Sequence, residues 1–388
     1  MSNMNETAEY ILPEDEEIVT PPKTPKKKKK KRGSVGRFFR RFFLVLFTLV
    51  ILLVVGLAMV LDLIFNGPSP EARNVLTMSL TEASATKWVP GLFLGDELVA
   101  QIRADVGAEL PNDVTDTNAI VINKDITAAV TDEWKDYPDG IRIEQYKGDT
   151  FNAYIMLVRD PSQVYMATSA DHFSYDVLGT RITDQIETEG AIAAVNAGAF
   201  NDDGTGSPKN GSVPLGLVMS EGECVWEQGR PNENGFAGFT KDNVLVVAKE
   251  MNRSKAAELG IRDGCGFGPV LIMDGEINES AYNSNSGYNP RTAIGQRKDG
   301  VVILLCIDGR QPGALGATYG DIIDIMVEYG AYNACNMDGG SSSVMLYRDT
   351  YGRYGEAGQV QMINNYSLLQ EKPRRMPTFF MVRPADED

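Results

Sequence analysis

The spacing of apolar and polar positions changes several times along the chain, and each change outlines an element. Residues 42–61 are apolar except for Thr48 and Gly56, a run long enough to cross the hydrocarbon of a bilayer as a helix. Between Pro68 and Pro111 the period is helical in part: Leu76 and Leu80 stand one turn apart beside Val75 and Met78, and Leu98, Ile102 and Val106 repeat the spacing. From Gly140 short strands take over. Residues 141–146 and 153–158 flank the turn Lys147-Gly148-Asp149, 215–219 and 225–226 flank Glu221-Gly222, and 235–239 pair with 244–247. Residues 164–167 and 191–195 are further strands, 180–188 a short helix stopped by Gly190, and 266–273 run into the turn Asp274-Gly275. A hairpin joins 291–296 to 301–307, and 343–347 with 378–382 are expected to close the sheet.

The stretch 301–347 organises the rest. Residues 301–307 (VVILLCI) are β-branched and apolar, hence a buried strand. Thr318 with Asp321 three positions on resembles a capping pair; Ile322, Ile325, Met326 and Tyr329 follow at helical spacing, and Gly330 supplies a stop. Residues 332–337 form a second strand. A strand–helix–strand crossover sets its strands parallel. Asp308 and Asp338, each just past a strand end, then face one edge of the sheet, where open α/β sheets receive ligands. With the strands as neighbours, about 4.8 Å apart, the carboxylates would stand about 5–10 Å from each other, a separation at which two carboxyls share work on a glycosidic bond. Each aspartate precedes a glycine, which lets the backbone turn and a ligand approach. One Asp-Gly merely makes a turn; two on one edge read as a site. The fold class expected is α+β, a mixed sheet with a central strand–helix–strand unit and several hairpins, preceded by a single transmembrane helix.

Charge narrows the partners. The 388-residue chain has a formal net charge of −16, yet up to Arg41 there are 11 Lys and Arg against 6 Asp and Glu. An acidic globular part argues against nucleic acid. The basic run 26–32, with Arg37, Arg40 and Arg41, instead flanks the apolar span 42–61, so the lipid bilayer is the partner there, the N-terminus is cytoplasmic, and anionic headgroups hold the lysines. A cleaved signal peptide is the competing reading, but its apolar core is usually about 7–15 residues, and no clear small-x-small site follows closely here. The expected organisation is a disordered cytoplasmic tail with a polybasic run (1–36), a transmembrane helix (37–66), a membrane-proximal, partly helical stalk or cover (67–139) and a main domain (140–388, core 190–382). The cysteines Cys224, Cys265, Cys306 and Cys335 lack metal-ligand spacing, and the sole histidine, His172, does not complete a zinc site. Buried free thiols are the expectation, and a disulfide is the alternative outside the cytoplasm. His172 and Ser174, though close in sequence, do not make a triad, which is defined by geometry.

Arg310 follows Asp308-Gly309 directly, and Arg291 opens the strand antiparallel to 301–307. Guanidinium binds phosphate bidentately and keeps its charge. Two arginines near two aspartates suit a substrate with both a phosphate and a bond needing acid–base help; a structural ion-pair cluster is the alternative. Asn196 offers a donor and an acceptor to a sugar, or closes a turn. The backbone N–H groups of Gly339, Gly340, Ser341 and Ser342 are a candidate anion nest. No metal site is expected.

The blocks VNAGAF (195–200), GFGPVLIMDGE (266–276), NPRTAIGQ (289–296), IDGRQPG (307–313) and NMDGGSSSVM (336–345) together resemble the phosphodiester glycosidase domain family, over about half of the chain. One departure is that Ala197 and Ala199 flank Gly198, where the family often has Gly-Gly, which narrows that turn. The resemblance implies a hydrolase of sugar-1-phosphodiesters, whose bacterial relatives are often membrane-anchored and of exopolysaccharide type. The expectation is a single-pass enzyme of the cell membrane, its catalytic domain extracellular, cleaving such a bond in a cell-surface glycan or exopolysaccharide. Asp338 is the expected base or nucleophile and Asp308 its partner or a sugar-hydroxyl acceptor; Arg291 and Arg310 hold phosphate, Asn196 holds the sugar, and Gly339, Gly340 and Ser341 line the substrate. No cofactor is required. Two alternatives stand: a non-catalytic polysaccharide-binding protein of the envelope, and a wall-polymer phosphotransferase needing an acceptor hydroxyl and a divalent cation on the aspartates.

Overall fold

The computed structural model describes residues 34–82, 85–104, 110, 112–120, 122, 133–201, 211–228, 235–366 and 372–385. The expected basic tail up to residue 33 lies outside them. Helix α1 spans Ser34–Phe65, and its segment Gly36–Phe65 is long and apolar enough to cross a membrane. Val60–Asp388 form one compact unit. The fold class is α+β, with several sheets.

A seven-stranded sheet carries the central unit. Its strands lie in the order Ile141–Lys147, Asn152–Val158, Val302–Ile307, Arg291–Arg297, Ala331–Met337, Val270–Met273 and Glu276–Ile277. Along Val302–Ile307 the side chains alternate. Val302, Leu304 and Cys306 enter a core shared with the two other large sheets, and Ile303, Leu305 and Ile307 enter a second core under the helix Tyr319–Glu328. A strand covered on both faces has no polar side to show, which is why its sequence is unbroken apolar. The helix begins at a capping box formed by Thr318 and Asp321, buries Ile322, Ile323, Ile325 and Met326, and ends before Gly330 at φ +79°.

Val302–Ile307 and Ala331–Met337 run the same way but are not neighbours. Arg291–Arg297 lies between them, antiparallel to both. The hairpin strand thus pairs along both of its edges, and the two aspartate-bearing ends are separated by two strand spacings, about 9–10 Å, rather than one. Met345–Arg348 and Thr378–Val382 do not close this sheet. They sit with Val360–Met362, Ala193–Asn196 and Val164–Thr168 in a five-stranded sheet, while Glu223–Glu227, Leu217–Ser220, Ile261–Gly266, Phe236–Thr240 and Leu245–Ala248 form another. Crossing from one sheet to the next brings the end of Ala193–Asn196 beside the ends of the central strands, which matters for the site.

The segment that follows α1 holds α2 (Pro70–Thr81), α3 (Val89–Leu94) and α4 (Asp96–Ala104). Ser69 caps α2, whose first residue is Pro70. The buried Phe65 ring stacks on Phe93 at 5.1 Å. The Ser79 hydroxyl accepts from the Tyr288 N–H at 3.0 Å, so α2 packs on the loop leading into Arg291. All four cysteines are free thiols.

Candidate active site

The ends of three central strands and of Ala193–Asn196 meet at one rim. Asp338 is half-buried there. Its backbone is fixed on both sides: its N–H donates to the Ala197 carbonyl at 3.0 Å, and its carbonyl accepts from Asn196 Nδ2 at 2.5 Å. The Asp-Gly-Gly pattern has a steric cause. A Cβ on Gly339 would stand 2.8 Å from the Pro290 carbonyl oxygen, and one on Gly340 would stand 2.8 Å from Arg310 Nη1. The first glycine lets the turn close onto the preceding strand, and the second makes room for a guanidinium over the loop.

Arg310 is exposed at this rim and has φ +55°, unusual for a bulky residue. Its Nη2 donates to Asn289 Oδ1 at 2.7 Å, and it lies within range of the Asp338 charge. A second guanidinium reaches the same loop. Arg374 Nη1 donates to Ser341 Oγ at 3.1 Å while its guanidinium carbon lies over the Phe200 ring at 4.7 Å, and the Tyr366 hydroxyl donates to the Ser341 carbonyl at 2.6 Å. Arg374 lies outside every motif block, so only the fold brings it here.

Three expected site residues are placed differently. Arg291 is 2 % exposed and fully engaged: Nε donates to the Ala317 carbonyl at 3.2 Å, Nη2 to the Ser286 and Gly287 carbonyls at 2.8 and 3.1 Å, and Nη1 to Glu82 at 2.9 Å. Its guanidinium carbon sits 4.4 Å over the Tyr319 ring. It holds α2 and the neighbouring loops together beneath the rim and does not face a ligand. Asn196 is 1 % exposed; besides the Asp338 carbonyl it serves Thr292 Oγ1 and the Val344 N–H, both of which donate to its Oδ1 at 2.8 and 3.1 Å. In this structure it is a strut between two sheets and the Asp338 turn. The nest is half closed, since the Gly340 N–H donates to Pro290 and the Ser342 N–H to Gly339.

Asp308 also differs from expectation. It is 1 % exposed. Oδ1 accepts from the Asn365 N–H at 3.0 Å, and Oδ2 accepts from Asn365 Nδ2 at 2.7 Å and the Tyr154 hydroxyl at 3.3 Å. Burial raises its carboxyl above the usual carboxylate range, opposed by the bonds from Asn365 and Tyr154. Burial, helped by the Asp308 charge, pushes the Tyr154 phenol up to about 12. The carboxyl therefore organises the wall behind the rim, and Tyr154 and Asn365, like Glu82 and Arg374, were not legible as site residues. Because the folded state holds the Asp308 proton more tightly than the unfolded chain, this group favours folding most below the ordinary carboxylate range, and that contribution is lost as pH rises through the raised folded value. The melting-temperature gap between wild type and Asp308→Asn should thus narrow from about pH 4 towards neutrality; a gap that widens over that window contradicts the assignment.

Among the described residues, no three His, Cys, Asp or Glu side chains converge to hold a metal ion. A separate cleft of about 550 Å³, lined by Tyr165, Thr168, Asp171, Glu189, Glu221 and Arg383 among others, includes none of the rim residues.

Comparison with known proteins bears on this rim. The family model described as phosphodiester glycosidase matches residues 189–383, which include Asp308, Asp338, Arg310 and Arg374. The SPbeta prophage-derived uncharacterized protein YomE of Bacillus subtilis is 27% identical over 168 residues, 42% of this chain and 25% of YomE; the chain thus matches about a quarter of that relative's length. Among solved structures, the zebrafish N-acetylglucosamine-1-phosphodiester alpha-N-acetylglucosaminidase catalytic domain, auto-inhibited by its pro-peptide, is similar at 21% identity and TM-score 0.47, over 63% of this chain and 82% of that one. A hypothetical protein from Synechocystis is similar at 17% identity and TM-score 0.38, over 63% and 61%. With half of its length under the family model, the chain belongs to the phosphodiester glycosidase family.

Proposed function

We propose that the chain is a membrane-anchored hydrolase, its catalytic unit outside the cytoplasm, that cleaves a sugar-1-phosphodiester of a cell-surface glycan between the anomeric carbon and the phosphate oxygen. The observation that supports this reading is that Asp338, half-buried, shares one rim with Arg310, which lies within range of its charge, on a turn that Arg374 also reaches. Asp338 takes a proton from water as the water oxygen bonds to the anomeric carbon. The bond from that carbon to the phosphate oxygen breaks, and its electron pair leaves with the phosphomonoester. Such a leaving group is stable as an anion near neutrality, so it needs charge neutralisation more than protonation. This suits one half-buried carboxylate at the rim with two arginines, and Asp308 need not reach the substrate. The buried Asn289 Nδ2 and Ser342 hydroxyl beneath this rim have no protein partner, the condition of groups that an ordered water satisfies.

The test is incubation of the full chain in detergent with a synthetic sugar-1-phosphodiester, following free sugar and phosphomonoester. Release of both supports hydrolysis. Binding without release indicates the envelope polysaccharide binder, and transfer to an added acceptor that a chelator abolishes indicates the phosphotransferase. Arg310→Ala and Arg374→Ala are each expected to raise KM about 10- to 100-fold, the loss of one charge-assisted contact, with a smaller effect on kcat. Unchanged KM in both would remove the arginines from the phosphate.

A further inference from the structure

The membrane-proximal unit exposes an apolar face that the hydrolase reading does not use. The uncharged run of α1 stops at Leu61, and Asp62 follows. Phe65, which stacks on Phe93 of α3, lies three positions further on, roughly 5 Å along the helix. With the hydrocarbon ending near Leu61, this rise places α3 within the headgroup layer, which is about 5–8 Å deep on each side. Trp88, which caps α3, and Leu92 are four positions apart and so share one side of the helix. They are 62% and 71% exposed, and Leu63 on the last turns of α1 is 70% exposed. The Trp88 Nε1–H donates to the Ala85 carbonyl at 2.9 Å, so the polar edge of the indole is satisfied locally and its ring face is left bare. Trp134 is buried and Trp226 half-buried, which makes Trp88 the one exposed tryptophan.

We infer that α3 is a lipid contact: Trp88 and Leu92 enter the headgroup–acyl boundary of the outer leaflet and hold the catalytic unit against the bilayer that α1 crosses. Continuity selects lipid as the occupant, since the Phe65–Phe93 stack joins α3 directly to the end of the apolar helix, and amphipathic aromatic rings concentrate at that depth. The same segment delivers Glu82 to Arg291 under the rim, so the contact fixes the rim's height above the membrane. The inference rests on α1 being kept as an anchor.

The test reconstitutes the full chain into phosphatidylcholine nanodiscs, with and without lipid brominated near the top of its acyl chains, and compares wild type with Trp88→Phe. The emission lost in Trp88→Phe is expected to be blue-shifted, strongly quenched by brominated lipid and little affected by aqueous iodide. Leu92→Glu is expected to shift it to the red and restore iodide quenching. Protein that fails to enter the discs removes the anchor and the inference with it. Protein that enters with Trp88 open to iodide keeps the anchor and overturns the inference. A Trp88 shielded from both quenchers points to contact with a second copy and also overturns it.

Discussion

Asp338→Asn is expected to lower turnover of a sugar-1-phosphodiester about a thousandfold, the scale of a lost general base, with the melting temperature unchanged. The substitution keeps the shape of the side chain. Two bonds that hold the turn belong to the Asp338 main chain, through Ala197 and Asn196, and both glycines that shape it remain. What changes is the charge beside Arg310 and the capacity to take a proton from water. The loss should fall on kcat, since an amide still occupies the place of the carboxylate, and KM should move little. Phosphomonoester release by stopped assay and a thermal melt on the same preparation measure both halves. A variant that turns over at the wild-type rate ends the assignment of Asp338 as base; one that melts early leaves the fold, not the chemistry, as the cause.

The sequence carried the elements well where a pattern is local. The capping pair at Thr318 and Asp321, the stop at Gly330 and the hairpin into Val302–Ile307 each need only a few neighbours, and each is present. Pairing between distant strands was less legible. The crossover gave the direction of Val302–Ile307 and Ala331–Met337, but nothing local says that a hairpin strand will insert between them. The same limit governed the site. Asp308 and Asp338 look alike in sequence, each a strand end followed by glycine, yet Tyr154 and Asn365 close over one of them and the other stays at the rim. Those partners lie 154 and 57 residues away. Arginines are equally ambiguous: Arg291 sits inside a motif and is structural, while Arg374 sits outside every motif and reaches the loop. Net charge and spacing do not distinguish a guanidinium that binds a ligand from one that holds an α-helix; its remaining donors do.

Glu82→Ala is therefore expected to destabilise the protein more than it alters binding. Glu82 is the carboxylate partner of Arg291, a guanidinium 2% exposed. Removing it leaves a buried positive charge with only carbonyls and the Tyr319 ring around it, and a second guanidinium, Arg310, within range. Breaking one side of a buried ion pair costs about 3–5 kcal/mol. The lower end applies, because the Glu82 side chain is itself 26% exposed and the pair is partly screened. About 3 kcal/mol corresponds to a fall of roughly 5–10 °C in melting temperature for a unit of this size. Arg291→Met should fall by a similar amount for a different reason: it strands the carbonyls of Ala317, Ser286 and Gly287 in the interior. In both variants, KM measured well below the melting transition should stay within a few-fold of wild type. A phosphate clamp at Arg291 would give the reverse pattern, a large rise in KM with little change in the melt. The two measurements on one pair of variants thus separate a guanidinium that binds substrate from one that fastens α2 to the domain beneath the rim.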